Sequence, residues 1–165
     1  MERWRGIDAT TSDADARALL RICCGATRWI DRMMARRPLG SQEAALAAAR
    51  DEWFALSEAD WREAFGHHPR IGDRAALRRR FGTLDPAGRE QSGVDAASEA
   101  VLAALAEANR AYEERFAYIF IVCAAGRTAE EMLTLLRARL ENTPQTELHV
   151  AAAEHARICE LRLRS

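Results

Sequence analysis

Apolar residues recur along most of this chain at intervals of three and four, and each periodic stretch closes on a helix-stop signal. Ser12 opens a segment that runs to Cys24 and breaks at Gly25. The stretch ATRWIDRMMARR follows, ending where Pro38 and Gly40 interrupt it. Ser41 is placed to cap the next helix, in which Leu46, Ala49, Trp53 and Leu56 keep the 3.6-residue period. Ser57 and Asp60 form a capping-box pattern ahead of a short helix to about Phe65. Asp73 is placed to cap a helix to about Phe81, with Gly82 after it. Arg89, Glu90 and Gln91 are expected on a short helical piece closed by Gly93.

The longest helix is expected from Ala96 to about Arg115, with a stripe of Val101, Leu105, Ala108 and Tyr112 and with Asn109 beside it. Thr128 and Glu131 form a second capping box, followed by a face of Ala129, Leu133, Leu136 and Leu140. Thr143 and Pro144 open the last helix, proline suiting the first helical position because its missing N–H has no partner there. The run FAYIFIVCAA at 116–125 has strand-like composition but no second strand to pair with. It reads as a buried helix or an extended core segment. The fold class is therefore all-α, a single multi-helix domain over residues 1–165.

Composition agrees: alanine, leucine, arginine and glutamate dominate, and 48% of residues are hydrophobic against 30% charged. With 24 basic and 25 acidic residues, the net charge of −1 supplies no field for nucleic acid. The basic run Arg78–Arg80 reads as a solvated helix face. The N-terminal MERWRGIDATTSDAD has no apolar leader core, and the run at 116–125 is half the length that crosses a bilayer. The tail LRLRS is no peroxisomal address, so a cytoplasmic protein with no membrane partner is expected. Cys23, Cys24, Cys123 and Cys159 form no CxxC pair and read as reduced thiols. His155 and Cys159 are spaced to share a helix face, but two ligands fall short of the four a closed zinc site needs.

Chemistry is sparse. Two of the four histidines sit in FGHHPRIGD at 65–73, where proline and glycine would present an imidazole rigidly. Glu90 and Gln91 lie between turn residues and offer a carboxylate and an amide to a polar ligand. Arg162 falls on one stripe with Leu148, Ala151, His155 and Ile158, a place where arginine pairs with an oxyanion or snorkels to water. No dinucleotide, P-loop, nucleophile-elbow or zincin motif is present.

Five segments occur in register: FGHHPRIGD at 65–73, EQSGV at 90–94, N-x-x-Y-x-x-R-F at 109–116, FIVCAAGRTAEEML at 120–133 and ICELRLRS at 158–165. Together they resemble the 2-oxo-4-hydroxy-4-carboxy-5-ureidoimidazoline (OHCU) decarboxylase family. The resemblance implies an all-α fold, often dimeric, without metal or organic cofactor. The implied reaction converts OHCU to (S)-allantoin with loss of carbon dioxide. By that resemblance His68 and Glu90 are the catalytic residues, with His68 acting on the substrate hydroxyl. Pro69 would fix the turn, Gln91 and Arg162 would bind substrate, and backbone groups near Ile121 and Val122 would contact the ring. His67 is left a supporting or surface role.

Two positions depart from the family pattern. Ala87 stands where the family usually has serine, which removes a hydroxyl contact or moves it elsewhere. Phe116-Ala117-Tyr118 stands where F-G-F is common, so a side chain replaces a glycine before the apolar run. The rival reading is a non-catalytic helical interaction or dimerisation module derived from the same family.

Overall fold

The computed structural model describes residues 3–9, 12–69, 77 and 92–165, with side chains in the last stretch from Glu99 onward. Asp73, Arg78–Arg80, Phe81, Gly82, Ala87, Arg89, Glu90 and Gln91 lie outside the described residues. Among the described residues there are eight helices and no strand. They are α1 (Arg3–Ala9), α2 (Asp13–Cys23), α3 (Thr27–Ala35), α4 (Gln42–Phe54), α5 (Glu58–Gly66), α6 (Ser92–Phe116), α7 (Ala129–Leu140) and α8 (Pro144–Arg164). None of these helices is long and apolar enough to cross a membrane.

The expected caps are formed by short-range geometry. Ser12 Oγ accepts from the Asp15 N–H at 3.3 Å, and Ser41 Oγ from the Ala44 N–H at 3.1 Å. Ser57–Asp60 and Thr128–Glu131 are reciprocal capping boxes, each satisfying two backbone donors that would otherwise lack partners. Two expectations shift. The longest helix begins at Ser92, so Gly93 lies inside it rather than closing a preceding piece. Helix α1 was not expected from the polar N-terminus, yet it buries Trp4 and Ile7.

The chain divides into two compact units. The first comprises residues 1–68, 121–123 and 148–165; the second comprises 69–120 and 124–147. The core of the first unit is aromatic, with Trp29, Trp53 and Phe65 fully buried among Ile7, Leu20, Ile30 and Met33. Each such side chain contributes about 1.5–3 kcal/mol by leaving water. A buried indole also needs an acceptor for its N–H. Trp29 donates to the Ala49 carbonyl at 3.0 Å, Trp53 to that of Ala152 at 2.9 Å, and Trp61 to that of Trp53 at 3.0 Å. These bonds link α3 to α4, α4 to α8, and α5 to α4.

In the second unit, α6 packs on α7, and Tyr112, Phe116, Tyr118 and Phe120 form a ring cluster. Below that cluster Glu147, fully buried, accepts from Arg139 Nε at 2.7 Å, from Asn142 Nδ2 at 2.8 Å and from the Tyr112 hydroxyl. The run at 116–125 leaves α6 at Phe116 and continues without helix or strand pairing, the extended alternative of the two expected.

Candidate functional site

Helix α5 ends at Gly66, His67 caps it, and the next residue is His68. The His68 N–H bonds the Phe65 carbonyl at 3.2 Å, so the histidine stands on the last tightened turn of the helix rather than on a free loop. The preceding residue, His67, packs against Gly25. A Cβ at residue 25 would lie 2.4 Å from His67 Cβ, so only glycine lets the α2–α3 turn approach the end of α5 this closely.

The His68 ring meets the edge or face of His155 in a T-shaped contact, centroids 4.9 Å apart. His155 is fully buried on α8, stacked on Trp53 at 4.2 Å with 19° between planes. Burial pushes the His68 pKa down to about 4, helped by the positive charge of Arg162 and by His67. Burial likewise holds His155 well below the usual histidine range, with His68 and Arg162 acting in the same direction. Both imidazoles are therefore neutral at neutral pH. His68 Nε2 is buried and has no hydrogen-bond partner among the described residues. A buried polar atom left this way costs about 1–3 kcal/mol, and a ligand that bonds it recovers that loss.

Arg162 sits in the last turn of α8, where a cation is favoured by the carbonyl end of the helix. Its Nη1 donates to the carbonyls of Ile22 and Cys23, both at 3.2 Å, at the end of α2. Those bonds aim the guanidinium rather than leave it snorkelling. Helix α1 supports this end of α8: the Arg3 N–H bonds the Ser165 carbonyl at 3.1 Å, and the Arg3 guanidinium bonds the Arg162 carbonyl. Ile121 is buried and Val122 half-buried on the extended segment. The neighbouring Cys123 N–H donates to Glu154 at 2.8 Å, which ties that segment to the helix carrying Arg162.

Of the residues named from sequence, His68, Ile121, Val122 and Arg162 belong to the first unit, and the charge of Arg162 acts on His68. Pro69 follows His68 and is exposed. Glu90 and Gln91 lie outside the described residues. The sequence reading missed Trp53 and Cys24 as neighbours of this site. His155 had been placed only by period, on the Arg162 stripe. A neutral imidazole whose Nε2 has no partner among the described residues, within reach of a fixed guanidinium charge, can bind an anionic, hydroxyl-bearing molecule and exchange a proton with it.

Known proteins resemble this chain over most of its length. Residues 9–164 match the sequence model of the OHCU decarboxylase family. The uric acid degradation bifunctional protein TTL of Arabidopsis thaliana is 42% identical over 145 residues, covering 87% of this chain and 44% of that protein. The 2-oxo-4-hydroxy-4-carboxy-5-ureidoimidazoline decarboxylase of Amia calva is 35% identical over 97 residues, covering 58% of this chain and 55% of that one. The chain thus spans about half the length of these relatives. A crystal structure of OHCU decarboxylase in the presence of (S)-allantoin superposes with a TM-score of 0.69 at 36% identity, covering 92% of this chain and 95% of the other. An (S)-allantoin synthase structure, at 17% identity and a TM-score of 0.67, shares the fold.

Proposed function

The chain belongs to the OHCU decarboxylase family, and on that premise we propose that it is a carboxy-lyase converting OHCU to (S)-allantoin in urate degradation. The observation that carries the reading is the buried Nε2 of His68, without a hydrogen-bond partner among the described residues and within reach of the Arg162 charge. The substrate offers a hydroxyl and a carboxylate on one ring carbon, the complement of that pair.

The reaction needs no electron sink from outside the substrate. When the carboxylate leaves as carbon dioxide, its bonding pair enters the ring and the neighbouring C=N takes it up. The ring nitrogen takes a proton from solvent, which leaves an enol, and the enol becomes a ketone as the hydroxyl proton departs and a proton arrives on the adjacent carbon. His68 is the hydrogen-bond partner and proton acceptor for the hydroxyl. Arg162 holds substrate oxygens, and the backbone near Ile121 and Val122 lies against the ring. Glu90 either positions the ureido N–H groups or assists proton delivery, Gln91 hydrogen-bonds the substrate nearby, and Pro69 stiffens the turn. Fixed placement of this kind is the main contribution a protein can make to a reaction whose substrate carries its own sink.

The same reading makes the protein a cytoplasmic homodimer whose decarboxylation chemistry uses no metal or organic cofactor and which contacts neither membrane nor nucleic acid. Four free cysteines suit a reducing compartment. Ile22, Phe54 and Leu161, each about half exposed, offer apolar surface to a second copy. Light scattering during gel filtration reads the dimer directly.

The activity test follows (S)-allantoin by circular dichroism from freshly generated OHCU. The wild-type chain should exceed the spontaneous rate, His68→Ala should fall back to it, and His67→Ala should keep most activity. A wild-type rate equal to the spontaneous one sinks the proposal, and the reverse histidine pattern overturns the assignment.

A further inference from the structure

We propose that Cys24, His155 and Cys159 form a binding site for one thiophilic divalent cation of the zinc class. His155 and Cys159 stand one turn apart on α8 and so project from one face. Cys24 comes from far upstream, at the extended C-cap of α2, and supplies the third ligand that spacing along the chain does not reveal. All three side chains are buried, and their ligand atoms lie within 4.8 Å of one another.

The distances decide how much must change on binding. With metal–sulfur bonds of about 2.3 Å and metal–nitrogen bonds of about 2.0–2.1 Å, neighbouring ligand atoms of a tetrahedral site stand about 3.3–3.8 Å apart. His155 Nδ1 and Cys159 Sγ are already 3.3 Å apart. Bringing the third atom into range takes side-chain movement of roughly 1 Å. The imidazole is also oriented in advance, by its stack on Trp53 at 4.2 Å and by Phe65 at 5.9 Å.

Charge and softness select the ion. Two thiolates balance a divalent charge inside the fold, so the occupied cluster is neutral. Sulfur and imidazole favour zinc-like ions over magnesium or calcium, which require oxygen. Cys159 now donates its thiol proton to the Cys23 carbonyl at 3.2 Å. On binding, that proton and the one on Cys24 leave to solvent, and the Cys23 carbonyl keeps its bond from Arg162.

The test uses the full chain, reduced and freed of metal by chelator, then titrated with cobalt(II) as the spectroscopic probe. One equivalent should bind, with a near-ultraviolet thiolate-to-cobalt charge-transfer band that zinc(II) erases. Loss of an outer-shell partner alone weakens metal sites by about 10–100-fold. Cys24→Ser, Cys159→Ser and His155→Gln should therefore each weaken binding at least about tenfold. Cys123→Ser, at the half-buried cysteine outside the cluster, should leave the band unchanged. A measurement on the wild-type chain alone guards against variants that fail to fold: zinc should release about two protons per bound ion, read with an indicator dye in weak buffer. Absence of the band in the wild type, a band retained in Cys24→Ser, or binding without proton release each overturns the proposal.

Discussion

Ala117→Gly should stabilise this protein, although alanine-to-glycine changes weaken helical proteins at most positions. Ala117 follows α6 with φ 61°, in the left-handed region, while its N–H bonds the Glu113 carbonyl at 2.9 Å to close the last turn. An L-residue there loses about 1–2 kcal/mol to the contact between its Cβ and the following carbonyl. Glycine lacks the Cβ, but its freer unfolded chain costs about 0.5–1 kcal/mol. The difference favours the variant by up to about 1.5 kcal/mol, about 0.75 kcal/mol at the centre of the range, or a thermal midpoint rise of about 2–3 °C for a chain of this size. Ala47, exposed in the middle of α4, is the control of opposite sign. Ala47→Gly should lose about 1 kcal/mol and lower the midpoint by about 3 °C. Thermal unfolding followed by circular dichroism reads both midpoints, and urea denaturation gives the free energies, an unchanged slope showing that only stability moved. A midpoint that falls in both variants would refute the argument, because it would mean the strain at Ala117 is absent.

Three further outcomes follow from the packing. Gly25→Ala should cost about 1–3 kcal/mol by overpacking, since its Cβ would meet His67 Cβ and Cγ at 2.4 Å. Adding His67→Gly should restore the thermal midpoint, whereas adding His67→Ala, which keeps the offending Cβ, should not. Glu147→Gln should cost about 3–5 kcal/mol by breaking the buried ion pair with Arg139. The double variant Arg139→Met/Glu147→Leu should be less damaging than the single change, measured as a double-mutant cycle in urea. Ser57→Ala should cost about 1 kcal/mol through loss of the cap on α5, visible as a lower thermal midpoint with the helical circular dichroism signal retained.

Sequence and structure agree best where the physics is local. A cap joins residues three apart, so Ser12, Ser41, Ser57 and Thr128 announce helix starts without knowledge of the fold. Helix phase was less legible. In α4 the buried face is Ala45, Ala48, Ala49 and Trp53, while Leu46 is half-buried, because short alanine faces let neighbouring helices approach and hydrophobicity alone does not report that. Gly93 inside α6 makes the same point: about 1 kcal/mol of intrinsic preference is easily outweighed by the rest of a long helix. Helix α1 escaped because two buried residues in seven give too little period to recognise.

By itself the sequence determined the helical class, the caps and the family segments that contain His68 and Arg162, since each depends on nearby residues or on residue type. Only the tertiary structure decided that the Arg162 charge reaches His68, that Trp53 and His155 stack behind it, and that Cys24 lies beside His155 and Cys159. Those relations join α2, α4, α5 and α8 across long stretches of chain. Their energies come from burial and packing, which periodicity along one helix cannot encode.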